Sequence, residues 1–130
     1  MILTLALLAT SLLFGGMVLY AFGFAAFLFA ALPPDLAGRT IRQAFPHFYS
    51  FVMAAALVAA GLTWTVDTQS AGLLFLIGLT TLPARQVLMP AINLATDRGA
   101  KTRFQWLHGA SVALTLIHIA VAGVVLARFV

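Results

Sequence analysis

The sequence predicts an all-α membrane protein, a bundle of four transmembrane helices. Three observations carry this. The 130 residues are 63% hydrophobic and only 8% charged, whereas about a quarter of a soluble domain is charged. The mean hydropathy is +1.09. The apolar residues also fall into four runs, about 3–32, 46–64, 71–94 and 104–129, separated by three short polar breaks. Each run approaches or exceeds the ~20 residues that cross a bilayer core. Backbone groups must pair internally in lipid, so each run is expected to be a helix, and residues 1–130 one domain.

The first run lacks a basic leader and is about twice as long as a signal-peptide core, so it is expected to persist as a helix. Ala9, Gly16, Gly23 and Ala30 recur every seventh residue, a small-residue seam for close packing, bordered by Tyr20 and Phe27. Pro33-Pro34-Asp35 then breaks the helix. Asp35 suits the N-cap of a short interfacial turn over Leu36–Phe45, with Arg39 and Arg42 at lipid headgroups, and Pro46 suits the first turn of the second helix. On that helix His47, Ala54 and Gly61 share a face. Tyr49 and Trp64 read as interface markers.

The second break, TVDTQSAG, has no Lys or Arg; the first and third carry Arg39, Arg42, Arg98, Lys101 and Arg103. The positive-inside rule puts these five at cytoplasmic headgroups, with both termini outside, in a bacterial inner membrane. Membrane lipids are the expected partners. The small-residue seams on the first two helices predict a homo-oligomer. Basic residues confined to short loops do not form a nucleic-acid-binding face. With no cysteine, disulfides, thiolate zinc sites and iron–sulfur clusters are excluded.

Chemistry concentrates in the last two helices. Arg85 lies inside an apolar run between Pro83 and Pro90 and shares a helical face with Gly78, Thr81, Met89 and Asn93. An arginine in hydrocarbon is costly and marks an interior of functional interest. The fourth helix carries Gln105, His108, Ser111, Thr115 and His118, and His108 through His118 fall within about 80° of arc. A polar stripe on an apolar helix faces protein or water, not lipid. The pattern predicts a cavity binding a substrate or anion through Arg85, Asn93, His108, Ser111, Thr115 and His118. No span contains a carboxylate, so Arg85 is expected to meet carbonyls, hydroxyls, a lipid phosphate or a bound anion.

Three function classes follow: a transport or permeation unit, a haem- or copper-binding redox protein, and a lipid-binding scaffold. The redox alternative would use His47, His108 or His118, with Met53 and Met89 as soft ligands beside the His47–His108 pair. His108 and His118 are ten residues apart, ~15 Å in rise, too far to share one ion. No Ser–His–Asp set, phosphate loop or intramembrane carboxylate pair is visible, so no catalytic residue is assigned.

Several blocks resemble the transmembrane protein 205-like family in order and spacing. They are Gly15-Gly16, Phe45-Pro46 with Tyr49, Arg85 with Met89-Pro90 and Asn93, and Phe104, Leu107-His108 and Ser111. The resemblance implies a transport or trafficking role without naming a substrate. The chain is also distantly similar to four-helix units of copper-resistance D proteins and of the bacterial membrane protoporphyrinogen oxidase. The oxidase pattern places a histidine in the first helix, and this chain has none there.

Overall fold

The computed structural model describes residues 1–130 as four helices joined by short connections. They are α1 (Ile2–Ala31), α2 (Pro34–Thr63), α3 (Thr68–Asp97) and α4 (Lys101–Arg128). All four are long and apolar enough to cross a membrane. At 28 to 30 residues and ~1.5 Å per residue they outrun a ~30 Å hydrocarbon core, so their ends project or the bundle tilts.

The second helix begins at Pro34, not at Pro46, and the expected interfacial turn over Leu36–Phe45 is its opening stretch. Pro33 is the N-cap, and Asp35 lies in the first turn with no capping bond. The sequence allows this because Pro34 already supplies the fixed φ of a first helical position. Ala37, fully buried, and the part-buried Ile41 and Phe45 then repeat at four-residue spacing on the inward face. Pro46 removes only the donor for the Arg42 carbonyl, and the helix continues through it. Tyr49 consequently lies midway along α2, not at an interface.

Consecutive helices run antiparallel, and α1 also packs on α4, closing the ring. The inward face of α1 is Ala6, Thr10, Leu13 and Met17, at helical spacing. It meets Val52, Ala56, Leu74, Ile77, Ala122 and Val125 in a common core. Small residues bring backbones together, as expected where lipid supplies no hydrophobic drive between helices. A Cβ on Gly78 of α3 would lie 3.2 Å from Leu57 Cδ2 of α2, and one on Gly16 of α1 would lie 2.5 Å from the Phe51 ring. The seam on α1 is thus used within the chain at Gly16, while Gly23 and Ala30 remain exposed.

Two helices contain π-helical turns, Leu19–Phe24 in α1 and Ala84–Leu88 in α3. The second sits between Pro83 and Pro90, with the Met89 N–H donating to Ala84 five residues back. Widening the turn eases the clash a proline ring makes with the carbonyl four residues earlier. Between α3 and α4 the chain reverses at Gly99, whose φ of +65° is left-handed. The Gly99 and Ala100 N–H groups donate to Thr96 and Ala95, capping α3 in a Schellman arrangement.

Ion pairs tie both ends. At the end bearing the five basic residues, here called the basic end, Arg42 grips Asp97 bidentately at 2.6 and 2.9 Å. Arg42 is therefore held by α3 while remaining partly exposed. At the opposite end Asp67 caps α3 through the Gln69 and Ser70 N–H groups, and Arg128 donates to it at 2.9 Å. The Ser70 hydroxyl, then the Arg128 guanidinium and the Ser70 N–H, hold the Asp67 carboxyl down at about 2. A depressed carboxyl stabilises the fold fully above its unfolded value near 3.8 and loses that contribution as pH falls through the folded value. Asp67→Asn, which keeps a capping side chain, is expected to melt below the parent by a constant margin from pH 7 to about 4. The margin should shrink toward pH 2, as thermal melts in detergent would register.

Candidate functional site

The departure of α1 from α4 creates the site. The stretch Ile2–Val18 packs on both α2 and α4, whereas past Val18, where the π turn begins, α1 keeps α2 as its partner and leaves α4. The resulting space in the basic half of the bundle is a cavity of about 640 Å³. Phe22 and Phe29 of α1 stand on one side of it, and Phe104, His108 and Val112 of α4 on the other. Phe22, Phe29 and Val112 are also substantially exposed, so the gap between α1 and α4 opens sideways, toward lipid.

The inner wall is polar. The Tyr49 hydroxyl and Ser111 Oγ are hydrogen-bonded at 2.9 Å across α2 and α4, with Thr115 and Asn93 beside them. Tyr49 stands edge-on to Phe45 and tilted against Phe48, whose ring stacks on Tyr20 at 4.9 Å, and the Tyr20 hydroxyl donates to the Ala44 carbonyl at 2.8 Å. This stack fixes the α1–α2 wall. Phe104 lies parallel to the His108 ring at 5.4 Å, which orients the imidazole at the rim. Asp35, Arg39 and Arg42 form the mouth at the basic end. Beyond Thr115 the bundle is filled by His118, Ala122 and Val125, so the cavity is blind.

Four of the six residues expected to line a cavity do so together: Asn93, His108, Ser111 and Thr115. Arg85 and His118 do not. The Thr80 hydroxyl and His118 Nε2 are hydrogen-bonded at 2.8 Å, and the hydroxyl also lies 2.7 Å from the Leu76 carbonyl of its own helix. His118 is thereby spent on an interhelical hydrogen bond. Arg85 turns toward α2, where its Nε donates to the Pro46 carbonyl at 3.3 Å. The π turn accounts for the separation of Arg85 from Asn93. One extra residue in the turn shifts the phase by roughly 100°, so positions sharing a stripe in an unbroken α-helix no longer do.

The histidines are dispersed. His47 opens onto a separate apolar groove floored by Gly16 and Gly23, away from His108. No three His, Asp or Glu side chains converge on a metal-sized space. Of the remaining basic residues, Arg98, Lys101 and Arg103 are exposed around the third connection. Tyr49, which the sequence suggests as an interface marker, is instead a wall residue bonded to Ser111. Its signal was a phenol inside a span, which seeks a partner when buried.

Fold and cavity together define a small multi-pass α-helical membrane protein with a blind, laterally open chamber. The chain belongs to the DUF4149 family, a domain of unknown function, whose model matches residues 8–101. That match takes in α1 to α3 and the mouth arginines, and stops at the start of α4. No curated protein and no solved structure matches the chain.

Proposed function

We propose that this protein is a solute-handling unit that takes an amphiphilic ligand sideways from the membrane. The observation carrying the proposal is the α1–α4 gap, which joins an apolar, lipid-facing entrance to a polar inner wall beneath Arg39 and Arg42. A ligand with an apolar body and an anionic or hydrogen-bonding head matches this gradient. The body lies against Phe22, Phe29 and Val112, and the head against the mouth or the Tyr49–Ser111–Asn93 wall. The five basic residues favour the cytoplasmic leaflet of an inner membrane as the source, with both termini outside. The resemblance to the transmembrane protein 205-like family supports a transport or trafficking role. The exposed stripe His47, Ala54 and Gly61 on α2 leaves a close-packing face for a second copy.

Titrating a fluorescent fatty-acid analogue into the full chain in neutral detergent tests this. Saturable binding near one ligand per chain, displaced by a lysophospholipid, is the expected result. Partitioning that never saturates and resists competition would contradict it.

A further inference from the structure

The chain has three carboxylate side chains, Asp35, Asp67 and Asp97, and none serves Arg85. Both Asp97 oxygens are held by Arg42, and Asp67 is held by Arg128 and Ser70. Asp35 is in the first turn of α2, roughly 16 Å along the helix from Pro46, where Arg85 is anchored. Arg85 is half-buried, and its one protein acceptor, the Pro46 carbonyl, already receives the Ser50 hydroxyl at 2.9 Å. The two terminal nitrogens of the guanidinium bond no protein atom. Their group lies on α3 roughly 18 Å from the basic end, about 10 Å inside the hydrocarbon boundary if the bundle is centred.

A guanidinium at that depth needs an electron-rich partner, and the fork left free presents parallel N–H donors. We infer that Arg85, beside Ser50 at the Pro46 carbonyl where α3 meets α2, is an oxyanion site that takes a phosphate group. The planar fork fits two oxygens of one phosphate, and a point charge such as lysine does not reproduce that fit. The Nε bond to Pro46 sets the plane of the fork, so the site is oriented before a ligand arrives. The phosphate comes either from a lipid drawn inward to meet the snorkelling side chain or from a free oxyanion. This site is independent of the cavity, which Arg85 does not line.

Native mass spectrometry of the delipidated full chain, with phosphatidylglycerol, diacylglycerol and inorganic phosphate as probes, tests it. The wild type is expected to retain one phosphatidylglycerol at least tenfold better than diacylglycerol. Measured in the Ser111→Phe background, where the cavity no longer holds lipid, Arg85→Lys should lose most of that preference and Arg85→Met all of it. Phosphate binding that disappears in Arg85→Met without any lipid preference would assign the site to a free oxyanion. Ser111→Phe, which fills the cavity, should leave Arg85-dependent binding intact, so a failure of the cavity proposal does not sink this one. Should the methionine variant fail to fold, the lysine variant and the phosphate titration still decide. Equal retention of phosphatidylglycerol and phosphate by folded wild-type and Arg85→Lys protein would overturn the assignment.

Discussion

Ser111→Phe is expected to lower affinity for the fluorescent fatty-acid analogue at least tenfold while leaving the protein folded. Ser111 stands on the inner wall of a 640 Å³ cavity, on the face of α4 that looks across to Tyr49. A phenyl ring there occupies space that the ligand body would use. It also removes the hydroxyl that pairs with Tyr49. The Tyr49 phenol then loses its partner, and leaving a buried polar group unpaired costs about 1–3 kcal/mol. Because Tyr49 itself lines the cavity, water or ligand can recover part of that bond. Ser111→Ala separates the two effects: it removes the hydroxyl without filling the chamber, so binding should fall far less than with phenylalanine. Affinity unchanged in Ser111→Phe would place the ligand elsewhere.

Leu74→Ala is expected to cost about 2–3 kcal/mol of stability. Leu74 is fully buried where α3 packs into the common core. In water such a truncation loses transfer free energy and leaves a void. In lipid the transfer contribution nearly vanishes, because hydrocarbon solvates leucine as well as the core does, and lost dispersion contacts remain. The expectation therefore sits at the low end of the range for soluble proteins. Leu8→Ala, on the lipid-facing side of α1, should change stability by less than about 0.5 kcal/mol. Unfolding in mixed micelles of denaturing and neutral detergent measures both. A lipid-facing truncation as damaging as the core one would mean that Leu8 is packed against protein, as in an oligomer.

The helix number was legible because a bilayer imposes it: long apolar runs must satisfy their own backbones. The boundary of α2 was not, because two prolines competed for one role. Pro34 and Pro46 both fit a first helical turn, and only the inward spacing of Ala37, Ile41 and Phe45 distinguishes them. Asn93, His108, Ser111 and Thr115 could be read as one chamber because polar groups on apolar helices must face inward. The same reasoning could not place Arg85 or His118. Thr80 claims His118 across a helix pair that no linear pattern identifies. The π turn over Ala84–Leu88 rotates Arg85 out of the Asn93 stripe, and the π turn over Leu19–Phe24 comparably interrupts the seven-residue seam of α1. That first π turn has no proline beside it to announce it, and the sideways opening begins there.

A crystal structure of the full chain grown in a lipidic mesophase tests the account most directly. The account predicts α1 and α4 in contact along Ile2–Val18 and parted beyond it. Elongated density should run between Phe22 and Val112, with its polar end toward Arg39 or the Tyr49–Ser111 pair. Helices α1 and α4 packed together along their whole length, with no chamber between them, would contradict it.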